Sequence, residues 1–241
     1  MLKRLSLTLI FLLAGTGAHA DFMGLYVGGG LWKSDFKGDI IANIGLDTDL
    51  NLDGTSANYY YVALEHPVPV LPNIRIEHTS VDDTGVGTLS GGFTFAGQTF
   101  VINQPVTTTL DLTHTDFTLY YELLDTGAEL DLGITARVFD GEVIMNTARQ
   151  DLEGGVPMLY VRAKMGLPFI GGYVNGSLKT LGSQHTDYNV GLGWETENFI
   201  LPEVGIEAGY RNLQVDLDTD DVDVDVDMTF DGYYITLNAH F

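Results

Sequence analysis

Apolar and polar residues alternate along almost the whole chain after residue 20. Between Glu129 and Phe139, Leu130, Leu132, Ile134, Ala136 and Val138 fall on one side. Glu129, Asp131, Gly133, Thr135, Arg137 and Phe139 fall on the other. A period of two belongs to a strand whose faces meet different surroundings, because successive side chains point to opposite sides. The pattern returns in Leu159-x-Val161-x-Ala163-x-Met165 and in Val204-x-Ile206-x-Ala208-x-Tyr210. It predicts ten strands, near 24–36, 56–66, 73–83, 108–123, 129–140, 157–167, 172–180, 185–196, 203–216 and 225–241. Fusing or discarding segments around 172–180 and 185–196 would give eight.

A soluble sandwich also alternates, so further features must choose. The polar faces carry bulky charges in strand after strand: Arg75 with Glu77, Asp116 with Glu122, Arg162 with Lys164, Glu207 with Arg211. Short turns at 67–73, 125–128, 168–172 and 198–203 alternate with mostly longer, polar ones at 37–56, 84–108, 141–156 and 216–225; the short loop at 180–184 departs from this rhythm. Membrane barrels have this asymmetry, with short periplasmic turns and longer extracellular loops. The last strand sets Tyr233, Ile235, Leu237, Ala239 and Phe241 on one face, so the chain ends on an aromatic at an apolar position. Such an ending resembles the signal by which outer-membrane barrels are recognised by their assembly machinery, and Phe241 is assigned that role. The expected fold is all-β: a single antiparallel transmembrane β-barrel, ten-stranded with eight as the alternative.

The start of the chain fits this address. Lys3 and Arg4 precede an apolar run over 5–13, and Ala18-His19-Ala20 supplies a small-x-small cleavage pattern. The run is too short to span a bilayer, which needs about 20 apolar residues. Residues 1–20 are therefore expected to be a signal peptide cleaved after Ala20, leaving 21–241 as one barrel domain in the outer membrane of a Gram-negative bacterium. Loss of the leader moves the formal charge from −22 to −24. A chain this acidic is a poor partner for nucleic acid, whose phosphates call for Lys and Arg. It contains no cysteine, so disulfide, thiol and thiolate–metal chemistry are excluded.

Several blocks together resemble a known group: Gly24-Leu25-Tyr26-Val27-Gly28-Gly29-Gly30-Leu31-Trp32, Ala63-Leu64-Glu65-His66-Pro67-Val68-Pro69, Leu110-Asp111-Leu112-Thr113-His114-Thr115-Asp116 and Leu119-Tyr120-Tyr121-Glu122-Leu123-Leu124-Asp125. With Pro157-Met158-Leu159-Tyr160, Leu167-Pro168-Phe169 and Phe230-Asp231-Gly232 they are similar to an uncharacterised family of proteobacterial outer-membrane β-barrels, distantly similar to outer-membrane protein W. The resemblance implies location and fold, and carries no catalytic residue. Asp125-Thr126-Gly127-Ala128 departs from the more aromatic turn of that family.

With the apolar face toward lipid, the lumen receives Tyr61, Glu65, Arg75, Glu77, Asp116, Glu122, Glu129, Asp131, Arg137, Arg162, Lys164, Lys179, Glu195, Glu207 and Arg211. An eight-stranded barrel is filled by side chains and ten lies close to that end, so bases are expected to bridge carboxylates across the interior. Both a gated polar path and a structural ion-pair plug fit. Gly28-Gly29-Gly30 is expected to make room for a lumen side chain such as Trp32, or to bend the strand.

Three constellations could carry chemistry. The run 216–227 holds seven Asp, and clustered carboxylates can supply the oxygens that calcium wants. Asp218, Asp220, Asp221, Asp223 and Asp225 are the weak metal candidates, against a solvated acidic edge. The stretch Asp49-x-Asn51-x-Asp53-Gly54 has the glycine of a calcium loop but Tyr60 where its bidentate acid belongs. His78, His114 and His185, with Asp82, Asp83, Asp116 and Asp187 near in sequence, could form a hydrolase at the outer rim, where a His–Asp pair activates water. The leading expectation is a non-enzymatic barrel without cofactor, passing or holding small or apolar solutes or serving structurally. The alternative is a surface-interaction or cation-binding barrel working through its acidic loops. Its partners would be membrane lipid, lipopolysaccharide and the assembly machinery, with the barrel a monomer.

Overall fold

The computed structural model describes residues 23–42, 51–52, 54–168, 171–196, 202–217 and 224–241. Fourteen strands are present there: β1 (Gly24–Ala42), β2 (Thr55–Glu65), β3 (Asn73–Ser80), β4 (Asp82–Thr88), β5 (Phe93–Phe95), β6 (Gln98–Phe100), β7 (Pro105–Asp111), β8 (His114–Asp125), β9 (Ala128–Met145), β10 (Ala148–Leu167), β11 (Gly172–Thr180), β12 (His185–Glu195), β13 (Glu203–Leu217) and β14 (Val224–His240). Ten of them close a single antiparallel barrel in the order β1-β2-β3-β8-β9-β10-β11-β12-β13-β14, with β14 pairing back onto β1. Closure leaves no unpaired sheet edge, which the interior of a bilayer requires. The chain ends are tied into this closure, since the Phe241 N–H donates to Leu25 O at 2.9 Å and the Leu25 N–H to Phe241 O at 3.1 Å.

The outward positions form an apolar belt. Leu25 and Leu31 on β1, Ile74 and Ile76 on β3, Leu132 and Ile134 on β9, Leu192 and Trp194 on β12, and Ile235 and Leu237 on β14 are all exposed. Tyr60 and Tyr233 stand at its upper edge, with Asn58 and Asp231 next along their strands. On β14 the belt runs from Phe241 to Tyr233. At about 3.3 Å per residue that is about 26 Å along the strand, and strand tilt brings it near the roughly 25 Å band of membrane barrels. A soluble protein does not expose an apolar surface of this extent.

The end holding both termini carries the short turns. At the opposite end two expected loops are strand instead. Segment 141–156 continues β9 and β10 upward to a two-residue turn at Asn146 and Thr147, with Asn146 at φ 54°. Segment 84–108 forms the β4–β7 pair and a tip hairpin, β5–β6. The reason is legible: Gly141-x-Val143-x-Met145 keeps the period of two, so these stretches extend the barrel wall beyond the belt.

Candidate functional site: a lumen built in three layers

Inward positions set the interior. At the short-turn end lies a polar cavity of about 290 Å³. Its charged lining includes Arg75, Glu129, Arg162, Lys164, Glu195 and Glu207, with Glu77, Lys179 and Arg211 of the layer above as its roof, and tyrosines 26, 59, 61, 160, 173 and 234 give ring walls. Arg162 donates to Glu129 and Asp131 at 3.1 Å each, and Lys164 to Glu195 at 2.9 Å. The Arg75 guanidinium donates to Glu77 at 2.9 Å and lies 3.6 Å over the Tyr61 ring. Glu65 accepts from the Tyr120 hydroxyl at 2.7 Å.

Glycine creates the space for these rings. A Cβ at Gly28 would stand 2.5 Å from the Tyr61 ring, and one at Gly193 would stand 2.1 Å from the Tyr173 ring. Of the glycines expected to make room for a lumen side chain such as Trp32, Gly28 makes room for Tyr61 instead, while a Cβ at Gly30 would stand 2.1 Å from the Ile235 carbonyl oxygen of the neighbouring strand. Trp32 sits higher, fully buried, with Arg211 4.9 Å from its ring.

Above the cup a layer of ion pairs crosses the lumen. Arg137 donates to Asp116 through Nε at 2.7 Å and Nη2 at 2.8 Å, and to Asp187 at 2.6 Å. Arg211 donates to Asp187 at 3.0 and 2.7 Å. Lys179 donates to Glu77 at 2.8 Å and Asp116 at 2.7 Å. Three bases meet three carboxylates, each carboxylate is shared between bases, and all six are buried. Sharing of this kind offsets desolvation, which isolated buried charges cannot do. Higher still, the lumen is apolar: Trp32, Leu213, Met228 and Phe230 from the wall join Leu89, Phe95, Phe100 and Val106 from the β4–β7 hairpin in one cluster.

The sequence-predicted residues separate accordingly. Glu77, Asp116, Arg137, Lys179 and Arg211 form the ionic layer together with Asp187, which had been read only as a neighbour of a histidine. Glu65, Arg75, Glu122, Asp131, Arg162, Lys164 and Glu207 belong to the cup or its wall. His114, Asp116 and Asp187 bring potential ligand atoms within 4.8 Å of one another. The two carboxylates are already held by Arg137, Lys179 and Arg211, so the cluster is an ion-pair knot and not a cation cage. The His114 Nδ1–H donates to Leu112 O at 2.7 Å, and the ring is buried and not placed at an open rim. His78 points outward and shares a hydrogen bond with Thr115, while Asp83 accepts from Gly54 N–H at 2.8 Å; neither meets His114. Asp82 lies in β4, beyond the barrel wall formed by β3.

Asp218, Asp220, Asp221 and Asp223, like Asp49, Asp53 and Ala20, lie outside the described residues. Asp225 pairs with Ile41 in β14, and Asp216 stands opposite Asp227. Sequence reasoning missed the apolar cap. Its signal was present in the alternation of Phe93, Phe95, Phe100 and Val106, inside a stretch taken as loop.

No protein-family model and no curated protein matches the chain. Solved structures with a similar fold include the outer membrane protease OmpT from Escherichia coli, at 10% identity and a TM-score of 0.48, covering 95% of this chain and 98% of that one. The P. putida toluene transporter TodX is similar at 7% identity and a TM-score of 0.26, covering 91% and 90%. Neither protein's activity follows from likenesses at these scores.

Proposed function

We propose that this chain is a non-enzymatic barrel of the Gram-negative outer membrane that is closed to through passage and opens as a blind polar cup toward the periplasm. The observation that carries the reading is the ionic layer of Glu77, Asp116, Arg137, Lys179, Asp187 and Arg211 lying across the lumen beneath the apolar cap. An ion crossing it would have to part several buried charge pairs and then enter an apolar zone, a barrier of many kcal/mol. The leader-like N-terminus and the short turns on the side of the termini support the compartment and the orientation. The resemblance of its sequence blocks to the family distantly similar to outer-membrane protein W supports the same address. Insertion into planar lipid bilayers tests the closure: no unitary current steps are expected in 1 M KCl, and ohmic steps from correctly folded protein would overturn it. A second reading, contact with other surfaces, is favoured by Val101 and Ile102, both exposed on the loop after the tip hairpin, beyond the belt.

A further inference from the structure

The cup and the ionic layer differ in how their carboxylates are paired. In the layer, three carboxylates meet three bases. The cup is lined by Glu77, Asp125, Glu129, Glu195, Glu203 and Glu207 and by Arg75, Arg162, Lys164, Lys179 and Arg211, with His240 beside Glu203. Each of those bases is already committed: Arg75 to Glu77, Arg162 to Glu129 and Asp131, Lys164 to Glu129 and Glu195. Lys179 is committed to Glu77 and Asp116, and Arg211 to Asp187, so among the described residues each of these bases already has a carboxylate.

Glu207 is the group that specifies a ligand. It lines the cavity and is 9% exposed. Its partners are neutral donors: the Tyr234 hydroxyl at 2.6 Å and the Asn175 amide at 3.4 Å. Among the described residues no Lys, Arg or His forms an ion pair with it. A carboxylate held nine-tenths out of water without a cation is costly, and neutral hydrogen bonds offset only part of that cost. The surroundings suit a guest cation. The Tyr173 and Tyr234 rings line the cavity and offer electron-rich faces; glycine in β12 gives these rings their place, since a Cβ at Gly191 would stand 2.3 Å from the Tyr234 hydroxyl. Lys164 already lies 4.6 Å over the Tyr173 ring, so this wall holds an ammonium group of the protein's own.

We infer that the periplasmic cup binds small organic cations bearing a primary ammonium group, with Glu207 as the counter-ion and Tyr173 and Tyr234 as the walls. The inference rests on the closed-cup reading above. Lys164 competes for the same wall, through the Tyr173 ring and Glu195.

The test is calorimetric titration of the detergent-solubilised barrel with putrescine at low salt. Choline, glutarate and sodium chloride of matched ionic strength serve as the other arms. Saturable binding of putrescine is expected, with weaker binding of choline, which has no N–H to donate, and no binding of glutarate. Glu207→Gln, verified as folded by heat-modifiable migration, should weaken putrescine at least tenfold. Lys164→Gln should strengthen it, because it removes the competing ammonium and releases Glu195. That gain keeps the inference falsifiable even where Glu207→Gln fails to fold. A putrescine response no larger than that of sodium chloride, equal binding of glutarate, or an affinity untouched by both substitutions would overturn it. Bilayer recordings on the same preparation separate the two claims. Absent binding with no conductance sinks the cation site alone, and conductance with intact binding sinks the closure alone.

Discussion

Arg137→Met tests whether the ionic layer holds the barrel together. The side chain is 1% exposed and donates three hydrogen bonds of 2.6–2.8 Å to two carboxylates. Methionine fills much of the same volume, so the lost term is mainly electrostatic. Asp116 would keep Lys179 and Asp187 would keep Arg211, but each would lose half of its compensation. Breaking a buried pair by removing one partner costs about 3–5 kcal/mol, which is about two to three and a half decades in the folding equilibrium. Arg149 is the control. It bonds Glu142 and Asp151 at 2.7 and 2.9 Å but is 62% exposed, and pairs of that kind contribute about 0–1 kcal/mol. Reversible urea unfolding in lipid vesicles would measure both, read by the fluorescence of buried Trp32 in a Trp194→Phe background. Adding Asp116→Asn to Arg137→Met should recover part of the loss, so that the two substitutions fail to add by more than about 0.5 kcal/mol. Equal destabilisation by Arg137→Met and Arg149→Met would refute a structural role for the layer.

Three further outcomes follow from the geometry. Leu132→Arg places a charge on the lipid belt and should destabilise by about 2–4 kcal/mol in vesicle refolding, whereas Ser177→Arg, which enters the cup, should cost less; the reverse order would mean that the faces are misassigned. Gly28→Val should drive Tyr61 and its stacked Arg75 out of place and cost about 1–3 kcal/mol, more than Gly29→Val, whose Cβ meets nothing closer than 3.4 Å; equal unfolding midpoints would contradict this. Deleting Phe241 removes both backbone bonds to Leu25 and the terminal aromatic, and should lower the yield of heat-modifiable barrel in outer-membrane fractions; unchanged yield would dismiss the assembly role.

The wall of this barrel was legible because a membrane imposes one rule on every strand. Leu132 and Thr135 could be assigned to opposite faces from parity alone, and the structure agrees. Parity says nothing about height, however. It put Asp116 and Asp131 in the same lumen without showing that one lies in a neutral knot and the other beside the cup. Thr135 shows the same limit: its parity places it inward without showing that it is buried and hydrogen-bonded to Thr118 at 2.7 Å. Asp187 escaped the charge list because His185 next to it drew a catalytic reading, although Asp187 and Lys179 stand opposite each other in β12 and β11. The cap was missed for a different reason. The alternation of its hairpin residues runs through short strands split by turns, which read as loop, and only the meeting of β4–β7 with β9 brings them to the wall residues Trp32, Leu213, Met228 and Phe230.

The difference in pairing implies that two buried carboxylates should respond in opposite directions to the same chemical change. Glu77 accepts from both Lys179 and Arg75. Replacing it with Gln would leave the half-buried Arg75 without its carboxylate and the buried Lys179 with Asp116 alone, and should destabilise by about 3 kcal/mol. Glu207 has no cation to strand. Gln at 207 keeps an oxygen to accept from Tyr234 while removing an uncompensated buried charge, so the ligand-free barrel should gain stability, on the order of 1 kcal/mol. Groups kept at a cost to stability are expected where function requires them. Urea midpoints of Glu77→Gln and Glu207→Gln in amine-free buffer decide the matter: loss in the first with gain in the second is expected. A loss of similar size in both would mean that Glu207 is a structural member of the wall, with its charge already balanced.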